Sequence, residues 1–232
     1  EEKSGFMTIY DAIERIPIFE KASPKMKSKI ISYAILKKYS EQEILFRERE
    51  QVESIYLLVS GNVILYRYNH QGNRKVVFVC GKGEILNEVI LEQEIASISC
   101  QTLVESIVLV IQRNHFLELL EDDTLARAII CSEAEKIRRL YRQLSNTTNR
   151  SNLTAQAAAK LWKLGRDFGE AVDDGIKVKF ELSITLLADM VGAKRESTSR
   201  VIKSLKEEGL LEIQKGYFII KDMKGLLDHA HE

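Results

Sequence analysis

Leu186–Glu208 reads LLADMVGAKRESTSRVIKSLKEE. Two short helical patterns meet there at a tight turn. Ala188 and Gly192 are small where two helices must approach closely. Leu187 and Val191 give the first helix an apolar face, and Val201 and Leu205, four positions apart, give the second a matching one. This is the arrangement of a helix-turn-helix. The second helix also carries a polar face of Lys194, Arg195, Glu196, Ser199, Arg200 and Lys203. Between Gly192 and Lys206 stand five basic residues and one acid, in a chain whose formal net charge is +0, so the stretch is a local basic stripe. The plainer alternative is a solvated helix face with scattered charges. The small residues at the turn and the paired apolar spacing speak against it.

The whole chain has 232 residues, room for two modest domains or one large one. Its 45% hydrophobic and 29% charged residues suit a soluble folded protein. There is no apolar run of the roughly 18 residues that a membrane helix needs, and the opening EEKSGFMTIY lacks the apolar core of a secretory signal. Cys80, Cys100 and Cys131 are odd in number and widely spaced, which argues against a disulfide framework and for a reducing cytoplasm. No Gly-x-Ser-x-Gly, phosphate-binding loop or His-Glu-x-x-His occurs, so the sequence does not read as an enzyme.

Upstream of the motif the pattern changes several times. Residues 8–38 read as helix and turn: Asp11 caps a short helix ending near Pro17, Ile18 and Phe19 form a docking anchor, and a second helical pattern covers 25–38. From about Tyr39 to Gln112, short runs such as IYLLVS, NVILYRY and RKVVFVC alternate with turns at Ser60-Gly61, His70–Asn73 and Gly81–Glu84. Two further strands are expected at 95–102 and 106–111. In the second of those runs Leu65 and Arg67 alternate with Tyr66 and Tyr68, as in half-buried antiparallel strands. So many short strands predict a small sandwich or barrel. A short helix over 114–122 follows, then a long one from Asp123 to about Ser145. In it Ile130, Ile137 and Leu144 recur every seven residues, joined by Leu140 and Tyr141. With charged flanks such as Glu133, Lys136 and Arg139, that seam reads as a helix pairing with a copy of itself; packing within the chain is the alternative. Asn146, Thr147, Thr148, Asn149 and Ser151 are poor helix formers and mark a hinge. Beyond it come a helix over 153–168, a turn at Asp173–Gly175, a strand over 177–180, and Ser183 or Thr185 as cap of the first motif helix. After Gly209, short strands around Gln214–Gly216 form a wing, and a helix over 223–229 ends the chain.

This order of parts resembles the cyclic-AMP receptor protein (Crp/Fnr) superfamily of bacterial transcription regulators. The resemblance rests most on Val191–Leu211: a glycine at 192, the pair Arg195-Glu196, an arginine four positions on at 200, and the ending Leu205-x-x-x-Gly209-Leu210. It implies an α+β chain in three parts: a cyclic-nucleotide-binding-like β-roll over 8–122, a dimerisation helix and hinge over 123–148, and a winged helix-turn-helix over 149–232. It further implies a cytoplasmic homodimer on pseudo-palindromic double-stranded DNA, an activator with RNA polymerase as a further candidate partner. Arg195, Glu196 and Arg200 are then the residues that touch base edges, in a half-site like TGTGA. Lys194, Ser197, Ser199 and Lys203 are the residues that touch the phosphate backbone.

The sensor departs from the family pattern. Members that bind cyclic nucleotides keep a Gly-Glu pair followed shortly by Arg-Ser. Here the pair is Asn87-Glu88, which are the candidate effector residues, and no arginine stands between Arg74 and Arg113. A buried phosphodiester needs a cation or several donors, and Lys82 is the nearest candidate along the chain. Cyclic AMP held in the usual way is therefore not expected. Nor is an iron–sulfur cluster, for want of four thiolates, or haem, since His70 lies in a turn and His115 starts a helix. Cys80 and Cys100 read as buried inert thiols, with a redox pair as the alternative. The competing function is a protein-interaction or regulatory scaffold module that uses the roll as its ligand domain.

Overall fold

The computed structural model describes residues 7–149 and 152–231. They gather into two compact units, one up to residue 66 together with 78–139, the other 67–77 together with 140 onward. The first unit opens on α1 (Ile9–Glu14) and, after a 3₁₀ turn over Pro17–Phe19, α2 (Pro24–Tyr33). The cap of α1 is Thr8, not Asp11. Asp11 sits three positions in and returns the bond, accepting from Thr8 N at 2.9 Å while Thr8 Oγ1 accepts from Asp11 N at 3.1 Å. Ile18 and Phe19 are buried, as an anchor requires.

The strands are β1 (Ala34–Tyr39), β2 (Ile44–Phe46), β3 (Ser54–Ser60), β4 (Val63–Tyr68), β5 (Arg74–Cys80), β6 (Ser99–Thr102) and β7 (Ser106–Gln112). They form two sheets, ordered β1–β7–β3 and β2–β6–β4–β5. The helix expected over 25–38 stops at Tyr33, because β1 pairs with β7 along its whole length, from Ala34 opposite Ile111 to Tyr39 opposite Ser106. A ladder of that length outweighs the local helical pattern. Alternation fails in β4 as well: Val63, Ile64, Leu65 and Tyr66 are all buried, and only Arg67 and Tyr68 emerge. A strand covered on both faces reads as a continuous apolar run rather than an alternating one. β3 shows the same, with Ile55, Leu57, Leu58 and Val59 fully buried. α3 (Arg113–Leu119) packs Phe116 and Leu119 over β3 and β7. α4 (Asp123–Asn149) starts with Asp122 Oδ1 accepting from Leu125 N at 2.9 Å and buries Leu125 and Ile129. It runs past the expected end at Ser145: Asn146–Asn149 stay helical, while the last hinge position, Ser151, lies outside the described residues.

The second unit contains α5 (Leu153–Phe168), β8 (Gly169–Val172), β9 (Gly175–Val178), α6 (Ile184–Val191), α7 (Arg195–Glu207), β10 (Leu211–Gln214), β11 (Tyr217–Ile220) and α8 (Met223–His231). Its sheet is ordered β10–β11–β9–β8. β8 is absent from the sequence reading because Gly-Glu-Ala-Val carries little β signal; its ladder with β9 creates it. The strand expected at 177–180 lies earlier, and Phe180 leaves the sheet for the core, where it meets Phe168 edge-on at 5.9 Å. The wing turn is tight, with both Lys215 (φ 49°) and Gly216 (φ 85°) in the left-handed region, the geometry of a two-residue hairpin loop. α5, through Ala157, Ala158, Leu161 and Leu164, is the platform on which α6, α7 and α8 pack. Among the described residues no helix is long and apolar enough to cross a membrane.

Candidate functional site

α6 is capped at both ends and α7 at its C-terminal end. Ser183 Oγ accepts from Leu186 N at 3.0 Å and starts α6. Gly192 ends it at φ 75°, with Ala193 N donating to Ala188 O at 3.1 Å. α7 closes the same way at Gly209 (φ 76°): Gly209 N donates to Lys206 O and Leu210 N to Leu205 O, both at 3.0 Å. That pair of bonds is a Schellman motif, and it accounts for the spacing Leu205-x-x-x-Gly209-Leu210, since Leu205 and Leu210 are both buried against it.

The inner stripe of α7 is Thr198, Ile202 and Leu205, all buried; the expected Val201 is only half-buried, one position off the stripe. Thr198 hides its hydroxyl by donating to Lys194 O at 3.1 Å. Everything expected to meet DNA lies on the other side. Lys194, Arg195, Glu196, Ser197, Ser199, Arg200 and Lys203 are all exposed. Lys203 has a loose surface pair with Glu207 at 3.7 Å. Lys194 and Arg195 stand at the end of a helix where the backbone dipole disfavours cations, and Lys194 supplies no side-chain cap. Stability does not explain that placement, whereas an anionic partner does.

On α4 the seam is equally bare. Ile130 is 67% exposed, Ile137 46%, Leu140 40%, Tyr141 69% and Leu144 67%. Such a run of large apolar side chains in water marks an interaction face.

Asn87 and Glu88, the expected effector residues, are both engaged within the chain. Asn87 is buried, accepts from Tyr56 N at 2.9 Å and donates to Ser54 O at 2.8 Å, so its amide is spent on β3. Glu88 meets the Lys136 ammonium at 2.6 Å, off the direction of a good hydrogen bond, so the contact is chiefly an ion pair. Lys136 also donates to Ile85 O at 2.9 Å, and Arg139 reaches Glu84 at 2.7 Å. Lys82, the cation nearest along the chain, points into solvent. The cations here come from α4, on a face separate from the seam they were expected to flank. A signal for them exists: Leu125, Ile129, Lys136 and Arg139 share one stripe of the helix, and its first two members are buried.

Burial alone pushes the Lys136 ammonium down; Glu88, Cys80 and Glu133 together outweigh it, and the net shift is upward. For Glu133 the balance goes the other way: burial, then the charge of Glu88, outweigh the nearby Lys136 ammonium and raise its carboxyl to about 7. The folded state therefore holds the Glu133 proton over a range where the unfolded chain has lost it. That costs nothing below the ordinary carboxylate pKa, grows as pH rises towards about 7, and is complete above it. Glu133→Gln is expected to stabilise the protein at pH 8 and to make no difference at pH 4, read as urea midpoints. Equal effects at both pH values would refute the assignment. Burial also pushes the thiols of Cys80 and Cys100 upward, so little thiolate is available for chemistry, and both are unbridged. His115 stacks on Tyr33 at 4.1 Å between ring centres, and His70 is exposed in its turn.

Comparison with known proteins agrees with this architecture. Residues 36–123 match the cyclic nucleotide-binding domain family, and residues 155–229 match the Crp-like helix-turn-helix domain. The chain is 25% identical over 210 residues to the cyclic AMP receptor protein of Thermus thermophilus, covering 89% of this chain and 93% of that one. It is 26% identical over 192 residues to the anaerobic regulatory protein of Bacillus subtilis, covering 82% and 80%. A solved CRP-family transcriptional regulator of Thermus thermophilus superposes with a TM-score of 0.76 at 21% identity, covering 84% of this chain and 97% of that structure. With the roll, the long helix and the winged helix-turn-helix in one order, the chain belongs to the Crp/Fnr superfamily of transcription regulators.

Proposed function

We propose that the protein is a cytoplasmic homodimer that binds a pseudo-palindromic DNA site in a sequence-specific way, with a sensor domain not built for cyclic AMP. The observation that carries this reading is the outer face of α7. Arg195, Glu196 and Arg200 are exposed on a helix whose inner face is buried and whose C-terminal end is closed. A rigid helix with free arginines is what base reading requires: arginine bonds guanine through two donors, and glutamate accepts from cytosine. Lys194, Ser197, Ser199 and Lys203 flank them as phosphate contacts. The bare seam of α4 supplies the second copy of the chain, and a dimer places two recognition helices about 34 Å apart, one turn of duplex. RNA polymerase is the further partner proposed for an activator of this build.

Asn87 and Glu88 do not fit a cyclic phosphodiester. The Asn87 amide is consumed by β3, and the Glu88 carboxylate is already held by Lys136, so neither is left to receive the ligand.

The test is selection of binding sites from random duplexes, followed by a salt titration on the selected site. Inverted repeats of a GTGA-like half-site, bound with a steep log–log salt dependence, are expected. Salt-insensitive binding would instead favour a protein-docking module. Lys203→Ala should weaken all duplexes alike and lower the salt slope by about 1 per protomer. A change of consensus in that variant would mean Lys203 reads bases.

A further inference from the structure

The loop from Gly81 to Leu91 is held from three directions by the chain's own side chains. Asn87 ties it to β3 through Tyr56 and Ser54. Arg113, at the start of α3, donates to Ile90 O at 2.6 Å and Leu91 O at 2.8 Å. From α4, Lys136 bridges Glu88 and Ile85 O, while Arg139 pairs with Glu84 and lies over the Phe78 ring at 5.0 Å. Glu84 in turn accepts from Gly81 N at 3.0 Å. The donors that an anionic effector would recruit are thus already in use.

The Lys136 and Glu88 side chains are only 12% and 19% exposed. Two charges taken that far out of water persist because each neutralises the other; removing one leaves the other stranded. Here the stranded group would be a carboxylate beside a second one, Glu133. A ligand that drew Lys136 away would have to overcome both penalties.

We propose that Lys136 is a built-in ligand of the sensor domain: its pairing with Glu88, backed by Arg139 and Glu84, fixes α4 on the 81–91 loop without a small molecule, so that site-specific DNA binding needs no effector. This rests on the DNA-regulator reading above and adds how that activity is controlled. The occupant is a side chain, so occupancy is permanent and the helix that carries the seam is always in its working position.

The experiment uses the full chain, dialysed exhaustively against charcoal, on the duplex obtained by selection. Site-specific affinity should be the same before and after stripping, and millimolar cyclic AMP should change it by less than about twofold, having no preferred state to select. Lys136→Met should cost about 100-fold in site-specific affinity through the stranded carboxylates. The swap of Lys136→Glu with Glu88→Lys should win back at least about tenfold of that. If Lys136→Met does not fold, the stripped wild type and the swap decide the matter between them. A stripped protein that loses its site and regains it with a small-molecule extract overturns the proposal. So does a Lys136→Met protein that binds as tightly as the wild type, or a folded swap that recovers nothing. If neither native nor stripped chain binds any duplex, the DNA-regulator reading falls and takes this inference with it. If binding occurs only with added extract, this inference alone falls.

Discussion

Ile137→Asp is expected to convert the protein from a dimer to a monomer at micromolar concentration. Ile137 is the middle member of the seven-residue repeat Ile130, Ile137, Leu144 and is flanked on the same face by Leu140 and Tyr141. Burying such a side chain is worth about 1.5–3 kcal/mol, and a two-fold seam loses two of them. The substitution also sets two carboxylates close together in an apolar strip, which adds to the loss. The dimer dissociation constant should therefore rise by more than about 100-fold. The single chain should hardly notice. Ile137 is 46% exposed there, so the folded protomer gives up little packing, and circular dichroism should show the same helix content. Sedimentation of wild type and variant reads the result directly. DNA binding should fall with it, by about 100-fold or more, because each protomer then meets its half-site alone. A variant that remains dimeric, or a wild type that is monomeric at the same concentration, would place the partner surface elsewhere.

The second large effect is on base choice. Glu196→Ala and Arg200→Ala should each relax discrimination at one base pair per half-site, by about 1–3 kcal/mol there. The two residues lie four apart, about one helical turn, and so share one exposed face of α7. Neither contributes to the inner stripe of Thr198, Ile202 and Leu205, so the fold of the domain should survive both changes. The alternative is that Arg200 only neutralises phosphate. In that case Arg200→Ala would weaken every duplex equally and leave the consensus intact. Site selection with each variant separates the two. An unchanged consensus for Glu196→Ala would remove that residue from base reading, and a wild-type consensus without inverted GTGA-like halves would defeat the carry-over from the family.

Features set by one local rule are legible in the chain alone. The cap at Ser183 and the wing turn around Gln214–Gly216 are short-range chemistry, and both stand where their residue types put them, whereas Gly192, expected as a small residue for helix approach, serves to close α6 at positive φ. Elements set by a distant partner depart from their local pattern. Ala34–Tyr39 looked like the end of a helix and is a strand because β7 lies beside it. Gly169–Val172 carried no strand signal and is one because β9 pairs with it. Val201 was chosen for the core of α7 as the obvious apolar residue, yet Thr198 took the place by bonding its hydroxyl back to Lys194.

By itself the sequence determined the class of the molecule: strands then a long helix then a helix-turn-helix, a basic recognition face, an apolar seam every seventh residue, and a sensor without the expected arginine. These follow from periodicity and from residues within a turn or two of one another, which the order of the chain displays directly. The tertiary structure alone decided which side chains hold the 81–91 loop. Lys136 and Ile85 are 51 positions apart, and Arg139 and Glu84 are 55 apart. No local pattern announces that a charge on a helix will be turned away from water to face a carboxylate on a distant loop. Burial makes that pairing strong and specific, and burial is a property of the packed chain rather than of any stretch of it.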